Sequence, residues 1–497
     1  MKFLLHILLV ILSITTAAQT DKKIEILNAD NTYANTNKHP EYWRLVGNVS
    51  FKHNNAIMDC DSAYHYATED KMQAFGRIKI NQGDSIKLIG KNLTYFGSDD
   101  KADINGDVIL IDKHMQLNTE QIFYNLKTSI ASYPTYGIII DNEKTIKSLK
   151  GAYHSNIQKF IFTDSVKVIA KDYNIFTDNM HYNSESEMTY FFGPSNIVSD
   201  NKNIYCENGW YNTKTDKAQF RENATITNDE YVLKGDSLYY DKNLGYGKAI
   251  RNVEVIDTVE NMTVYGDLAE YFEKEEFIEI TKTPILQILF EEDTLFMHAN
   301  KFVSQQKVGA KKVLAYYKVK FYKTDFQGKC DSLSYNFTDS VVEMYNRPIL
   351  WSQEFQITAD SLKFLLADGK VEQLFLKPNP MIIAKEDSLN YNQIKGKNMT
   401  AYFTENKMKR MYVEGNGQSI FIVKDDETGD KIGLNYTEST DLILYFKNNK
   451  LDAVNYKIKP NSITTPYYDV EEKNRYLKGF DWRGKEQPKS KEDIFTL

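Results

Sequence analysis

The chain has 497 residues, of which 42% are hydrophobic and 13% aromatic, so it can bury a large core and wholesale disorder is excluded. The 61 Lys and Arg residues against 68 Asp and Glu residues give a net charge of −7, which argues against nucleic acid as a partner. With 34 Tyr, 27 Phe and only 10 Pro, the composition favours β-strands, whose residues need their N–H groups for the ladder.

Residues 1–18 have the pattern of a secretory signal peptide. Lys2 supplies a positive start, residues 3–14 form a short apolar run, and the small residues Ala17 and Ala18 offer a cleavage site before Gln19. The alternative is a retained N-terminal membrane anchor. We expect an exported protein in which no other segment is apolar over the roughly 18 residues that a membrane helix needs.

A six-residue pattern recurs along the chain: a small residue, a charged residue, Ser/Asn/Gln, an apolar residue, any residue and an aromatic residue. Clear copies begin at Gly90, Thr119 and Gly235. With the weaker copies, the first positions are 60, 90, 119, 148, 177, 206, 235, 266, 297, 330 and 359. This regular spacing predicts a repeat of about 29 residues that stacks on its neighbours.

Each repeat also contains a second segment in which apolar and polar residues alternate. Residues 47–51, 76–80 and 106–110 show this alternation, which is typical of a half-buried strand. Clusters of Asp, Gly, Asn and Lys between the segments supply turns. We therefore predict two strands of about nine residues and two turns in each repeat.

The repeat loosens towards the C-terminal end, which suggests internal boundaries. Residues 304–312 are polar and lack the pattern, and the alternation fades from about Pro460. The predicted parts are a signal peptide (1–18), an N-terminal β-jellyroll (19–170), continuing β repeats (171–303), a linker (304–312), a second β-repeat module (313–460) and a poorly ordered tail (461–497).

The cysteines and the acidic residues of the repeat have structural and functional interpretations. Cys60, Cys206 and Cys330 all occupy the small first position of the pattern, which favours buried structural residues over a disulfide or a reactive thiol. The second position is often acidic and would form a row along stacked repeats. We favour a solvated structural position over calcium or sugar binding there. The acidic residues are Asp61, Asp178, Asp236, Asp267, Asp331 and Asp360.

Sequence motifs of catalysis and cofactor binding are absent. The eight histidines form no zinc motif, and no phosphate-loop, dinucleotide or Gly-x-Ser-x-Gly pattern occurs. We therefore expect no catalytic residues, no metal site, no cofactor and no enzymatic activity.

Residues 47–53 and 60–64, followed by residues 74–84, resemble the OstA-like proteins of the LptA/OstA lipopolysaccharide-transport superfamily, in their Bacteroidota form. Residues 392–399 resemble the same branch. The resemblance implies an elongated β-jellyroll, or β-taco, of two stacked antiparallel sheets around an apolar groove. It also implies a periplasmic location, association with the outer membrane, and partners that are lipopolysaccharide or lipid A acyl chains, other β-jellyroll modules and the outer-membrane translocon.

The alternation of apolar and polar residues along the strands provides candidate residues for such a groove. The alternative role for each candidate is ordinary core packing. The candidates are Val49, Phe51, Ile78, Ile80, Ile86, Leu88, Val108 and Leu110. The leading hypothesis is a component that binds lipid acyl chains in this groove and bridges toward the outer membrane. The alternatives are a lipid-free structural or adhesive β-solenoid and a glycan-cleaving β-solenoid. Exposed strand edges favour edge-to-edge assembly in either of the first two cases.

Overall fold

The computed structural model describes residues 23–35, 37–83, 86–113, 115–141, 143–290, 293–305, 309–367, 370–447 and 450–495. The predicted signal peptide lies outside these ranges. The chain forms two compact units, one ending at Gly193 and the other beginning at Pro194. The predicted linker falls inside the second unit, and its residues 306–308 are outside the described ranges. The predicted domain boundaries stay predictions.

Unit 1 contains β-strands and two short 3-10 helices in its described residues, at Gly97–Asp99 and Ser155–Ile157. Its strands are β1 (Glu25–Asn28), β2 (Asn31–Asn35), β3 (His39–His53), β4 (Ala56–Tyr66), β5 (Lys71–Gln82), β6 (Ile86–Phe96), β7 (Lys101–Asp112), β8 (Met115–Asn125), β9 (Ile130–Tyr133), β10 (Gly137–Asp141), β11 (Lys144–Ser148), β12 (Lys150–His154), β13 (Lys159–Ile169) and β14 (Asn174–Asn183). Strand β15 (Met188–Ser199) includes the boundary between the units.

Unit 2 has the same character. Its strands are β16 (Lys202–Asn212), β17 (Lys217–Thr227), β18 (Tyr231–Asp241), β19 (Tyr246–Asp257), β20 (Met262–Phe272), β21 (Phe277–Thr281), β22 (Ile285–Leu289), β23 (Thr294–His298), β24 (Lys301–Gln305), β25 (Lys312–Tyr322), β26 (Gln327–Asn336), β27 (Val341–Tyr345), β28 (Ile349–Ser352), β29 (Phe355–Thr358), β30 (Ser361–Ala367), β31 (Lys370–Lys377), β32 (Met381–Lys385), β33 (Tyr391–Lys395), β34 (Asn398–Thr404), β35 (Lys407–Lys424), β36 (Lys431–Lys447), β37 (Lys450–Lys457) and β38 (Asn461–Pro466). Four 3-10 helices follow at Tyr467–Asp469, Glu472–Asn474, Gly484–Glu486 and Lys491–Phe495.

The strands of unit 1 pair antiparallel, and in most of the long strand pairs the register shifts near the middle of the strands. The shifts divide the pairing into two ladders. Ladder 1 contains residues 43–46, 62–66, 71–75, 92–96, 101–105, 121–125, 130–133, 150–154, 159–163 and 179–183. Ladder 2 contains residues 49–53, 56–60, 78–82, 86–90, 108–112, 115–119, 137–141, 144–148, 166–169 and 174–177.

The predicted all-β repeat fold is confirmed, with one change in strand length. β5 and β6 have 12 and 11 residues rather than about nine, because each continues through a bend from one ladder into the other. Side chains still alternate on each side of the bend, so every repeat contributes apolar residues to both ladders. The six-residue pattern and the alternating segment of the sequence lie on successive strands, such as residues 90–95 on β6 and residues 76–80 on β5, and each strand is longer than its segment.

The bends share a backbone feature that we call the corner: two consecutive residues in the left-handed region, with φ from 44° to 85°. The corners in which both residues have this conformation include 47–48, 76–77, 106–107, 164–165, 222–223 and 251–252. A Cβ on Gly76 would come within 2.4 Å of Oδ2 of Asp61, so a larger residue there would displace the carboxylate as well as strain the backbone. Register shifts of this kind are β-bulges, which bend a strand and increase its twist.

The acidic position of the repeat stabilises these corners from the neighbouring strand. Arg77 donates from Nε to Oδ1 of Asp61 at 2.7 Å, and Asn252 donates to Oδ1 of Asp236 at 3.0 Å. Oδ2 of Asp331 accepts from the corner residue Asn346 in the same way, and Oδ2 of Asp360 accepts from Asn379, a single residue with left-handed φ. These four carboxylates therefore have a structural role.

The C-terminal segment of unit 2, residues 467–495, packs on the strands where we predicted a poorly ordered tail. We call it the C-terminal strap. Val470 and Leu477 join a buried cluster with Ile383, Ile420 and Leu434. Since Ile382 and Ile383 are both buried although they point to opposite sides of β32, the strap covers the outer face of that strand. The strap is therefore held against the strands by the burial of its apolar side chains.

Two buried glutamines fix the strap through its backbone. Gln393 donates to the carbonyl oxygen of Arg475 at 2.9 Å and accepts from the N–H of Leu477 at 2.8 Å. Gln356 makes the equivalent pair with Asp481 and Arg483, both at 2.7 Å. Each glutamine amide thus satisfies two backbone groups of the strap, as a neighbouring strand would.

Candidate functional site

The interior between the two ladders of unit 1 is the candidate site, and the predicted groove residues face it. All eight are buried, with exposed fractions from 0% to 7%. They lie at the inner positions of ladder 2 in β3, β5, β6 and β7: Val49, Phe51, Ile78, Ile80, Ile86, Leu88, Val108 and Leu110. Contact of these residues with lipid stays a prediction.

An uninterrupted apolar row runs along the inner face of ladder 2. Each member is the direct cross-strand partner of the next. In ladder order the row is Phe51, Met58, Ile80, Leu88, Leu110, Leu117, Ile139, Ile146, Val168 and Ile175. Every member is no more than 4% exposed. The row contains only aliphatic, Met and Phe side chains, so it offers a purely non-directional apolar surface.

Four tyrosines of ladder 1 contact four polar residues at the tips of ladder 2, and we call these contacts the tyrosine seam. Tyr182 donates to Oδ2 of Asp141 at 2.9 Å. The two members of each contact are 41 or 42 residues apart. The four contacts are Tyr95 with Nδ1 of His53, Tyr124 with Oε1 of Gln82, Tyr153 with Oδ2 of Asp112, and Tyr182 with Oδ2 of Asp141.

The seam shows that the two ladders of unit 1 face each other. Oη of Tyr153 lies 2.6 Å from Oδ2 of Asp112. Their strands, β12 and β7, are three steps apart in ladder 1, which is about 14 Å within a sheet. The contact is therefore made across the interior, and it closes the interior on the side opposite the corners.

Burial keeps the seam tyrosines in their neutral, hydrogen-donating form. It raises the pKa of Tyr124 to about 12, with a further contribution from the carboxyl group of Asp112. Burial also raises the pKa values of Tyr153 and Tyr182, and the neighbouring Asp112 and Asp141 add to the effect. Each hydroxyl can therefore donate to its partner throughout the ordinary pH range.

In two of the three intervals between seam tyrosines, the strand between them provides space for their rings, whereas Phe160 stacks between Tyr153 and Tyr182. Tyr95 pairs with Ala102, and Ala102 pairs with Tyr124 on the next strand. Ala131 separates Tyr124 from Tyr153 in the same way. The sequence shows this as an alanine seven residues after a tyrosine of the repeat, a signal that our sequence analysis did not use.

At the end of strand β19 in unit 2, the contact is an ion pair rather than a hydrogen bond from a tyrosine. Nζ of Lys311 lies 2.7 Å from Oδ2 of Asp257, the last residue of β19. The same ammonium group lies 3.6 Å from Glu260 and over the ring of Phe337. A partly buried charge pair of this kind is stronger than an exposed one.

A cleft of about 360 Å³ in unit 2 is lined mainly by residues of β25, β26 and β27. Its lining includes Lys312, Lys363 and Glu343, together with serine and tyrosine hydroxyls. Oη of Tyr345 donates to Glu343 at 2.5 Å. The lining also includes Leu314, Leu333 and Val341, but its charged groups make it less suited to an acyl chain than the apolar row of ladder 2, so we do not regard the cleft as the lipid site.

The remaining reactive groups have structural surroundings. The three cysteines are described, buried and free, and burial raises the pKa of Cys206 to about 12. Among the described residues, no three His, Cys, Asp or Glu side chains are grouped closely enough to hold a metal ion. Within the same ranges, no helix has both the length and the apolar character to cross a membrane.

Comparison with known proteins gives a family match. Residues 21–178 and 174–236 match the sequence model of the family described as OstA-like protein. A search of curated proteins returned no match. Through these residues the chain is similar to the OstA-like family, as the sequence motifs predicted. The match supports a general function in lipopolysaccharide or lipid transport, since this is a family of periplasmic transport and binding components and not a family of enzymes.

Proposed function

We propose that this OstA-like protein transports lipopolysaccharide in the periplasm by holding its acyl chains between the two ladders of the repeat. The observation that supports this best is the apolar row on the inner face of ladder 2. Burial of an acyl chain there is favourable by about 25 cal/mol per Å² of apolar surface. Since this burial is non-directional, a chain can move along the row from repeat to repeat.

Bridging toward the outer membrane is part of the same proposal. In the described residues, β37 and β38 at the C-terminal end both pair with β36, and no further strand continues the pairing beyond them. Strand edges of this kind can accept another β-module by adding to the ladder. The partners we propose are other β-jellyroll modules and the outer-membrane translocon. The assignment to the Bacteroidota branch and the cleavage of residues 1–18 stay predictions.

Native mass spectrometry of the purified full chain with lipopolysaccharide tests the proposal. We expect complexes whose added mass is that of intact lipopolysaccharide. Chemically deacylated lipopolysaccharide, which keeps the sugars and phosphates, is the matched control and should not bind. Equal binding of both ligands would show that the sugars are recognised, and no binding of either would contradict the proposal.

A lipid-free structural or adhesive solenoid is the second candidate, and the burial of the interior favours it. The inner residues Phe51, Leu88 and Val108 are at most 1% exposed, as in an ordinary packed core. Under this alternative the interior stays closed and neither ligand binds. A glycan-cleaving enzyme has less support, because Asp236, one of the carboxylates it would use, is engaged by Arg251 and Asn252 at a corner.

A further inference from the structure

The tyrosine seam gives the closed interior of unit 1 a place to open. We infer that the seam is the entrance for acyl chains and that it opens repeat by repeat; the inference rests on the proposed function. The entrance is formed by the contacts of Tyr95, Tyr124, Tyr153 and Tyr182 with His53, Gln82, Asp112 and Asp141.

The seam is the side of unit 1 at which opening breaks the fewest hydrogen bonds. On the opposite side, the corners are continuous backbone. Separation of two neighbouring strands would break all the backbone pairing between them, such as the ten residue pairs between β5 and β6. Opening the seam at the contact of Tyr153 with Asp112 breaks one side-chain hydrogen bond and leaves both ladders intact. At the Gln82 tip, a second bond from Gln82 to the carbonyl oxygen of Leu126 would also break.

Buried polar groups distinguish the seam from the apolar rows behind it. Asp112 and Asp141 are only 4% and 1% exposed. The second carboxyl oxygen of Asp112, Oδ1, is buried and has no hydrogen-bond partner among the described residues. An incompletely satisfied buried carboxyl group is costly in a permanent core, and it regains hydrogen bonds when water reaches it. This favours local opening at the contact between Asp112 and Tyr153.

The chemistry of the seam fits the polar linkage next to an acyl chain. Opening frees the tyrosine hydroxyls, which stay neutral donors in contact with water because the ordinary pKa of tyrosine is about 10. A hydroxyl donor matches the carbonyl oxygen of an ester or an amide. The row of Leu88, Leu110 and Leu117 lies behind these hydroxyls and receives the hydrocarbon. The ligand class is thus a lipid with ester- or amide-linked long acyl chains.

A chemical bridge across the seam tests the inference. In a background with Cys60, Cys206 and Cys330 changed to Ala, the pair Asp112→Cys and Tyr153→Cys is joined by a short bis-maleimide. Uptake of a fluorescent long-chain fatty acid by the full chain is then measured. We expect at least ten-fold slower uptake after bridging than before it. Uptake that is unaffected by the bridge would overturn the inference.

The matched control bridges two residues on the outer face of ladder 1. Asp103 and Phe123 are direct cross-strand partners there, so a bridge between cysteines at these positions does not span the seam. Bridging this pair should leave uptake unchanged. Equal slowing by both bridges would mean that general stiffening, and not seam closure, limits uptake, and would contradict the inference.

A measurement without lipid separates the seam from the proposed function. Maleimide should modify the thiol of the single variant Asp112→Cys faster than the protein unfolds globally, because the seam opens locally. The rate of modification should remain much higher than the rate of global unfolding when Tyr153→Phe is added. If this thiol reacts only on global unfolding, the seam is part of a fixed core and the inference fails, even if lipid binds. If it reacts locally but the fatty acid never binds, the seam opens and the proposed function fails.

Discussion

At the scale of single residues, the corners explain why a charged position recurs in the repeat. Asp61 pairs with Arg77 on the next strand, whereas Lys91 in the following repeat pairs with Asp107, so the signs are exchanged. The sequence shows the acidic row directly. It does not show the partner, which lies 16 residues further along and varies between Arg, Asn and Asp.

Exchanging the charges at one corner tests this interpretation. Lys91→Asp should lower the thermal unfolding midpoint, because it places two carboxylates side by side where the structure has an ion pair. Adding Asp107→Lys should restore most of the loss, since the exchanged arrangement already occurs at Asp61 and Arg77. Unfolding followed at low and high salt measures this. A double variant no more stable than Lys91→Asp alone would contradict the pairing.

Loss of a single seam hydrogen bond should lower the free energy of unfolding. Tyr153→Phe removes the hydroxyl that donates to Asp112, and both carboxyl oxygens then lack a protein partner. We expect a loss of about 1.5–3 kcal/mol in the free energy of unfolding, the range for hydrogen bonds to charged groups. Tyr190→Phe is the control, because Tyr190 is 42% exposed and should give little change. Urea unfolding distinguishes the two, and equal effects would argue against a seam contact.

At the scale of elements, the strap is the part of unit 2 that our sequence analysis missed. Two signals for it are present in the sequence. Residues 349–351 and 381–383 are continuous apolar runs in which all three residues are buried, whereas in the apolar runs 108–111 and 138–140 of unit 1 only alternate residues are buried. Gln327, Gln356 and Gln393 also precede the first position of their repeats by three residues. Neither signal identifies the covering segment, because that depends on contacts more than 80 residues apart.

Removal of a strap-binding glutamine should release the strap. Gln356→Ala leaves the carbonyl of Asp481 and the N–H of Arg483 without their side-chain partner. We expect about 1–3 kcal/mol lower stability and faster proteolysis within residues 467–495. Gln116→Ala is the matched control, because Gln116 has the same place in its repeat but bonds Asn118 on its own strand. Equal proteolysis in both variants would contradict a specific role for Gln356.

The strap also gives unit 2 a pH dependence. Hydrogen bonding to Arg483, followed by that to Lys329, lowers the pKa of Glu486 from 4.5 to about 2. A lowered pKa means that the contribution to stability is present above about pH 4.5 and is lost as the pH falls towards 2. We expect Glu486→Gln to cost about 1 kcal/mol at pH 6, since the pair is partly exposed, and almost nothing near pH 2. A cost independent of pH would contradict the assignment.

At the scale of the whole chain, the 29-residue period was enough to predict the all-β repeat and the inward side chains of ladder 2. Strand propensity and alternation are local properties, so they can be recognised in the sequence. The bend at each corner and the 41-residue spacing of the Tyr153 contact were not predictable in this way. They depend on how the two ladders face each other. The division near Gly193 has no marker in the repeat, which continues in register through it.

The central claim is that acyl chains enter the interior between the ladders, and site-specific photo-crosslinking in cells tests it most directly. The photoreactive residue is placed at Leu110, which is 1% exposed and faces the interior, and at the outward-facing Ile109 as the control on the same strand. We predict that position 110 captures lipopolysaccharide and position 109 does not. Capture at neither position, or at both equally, in correctly folded protein would contradict the account.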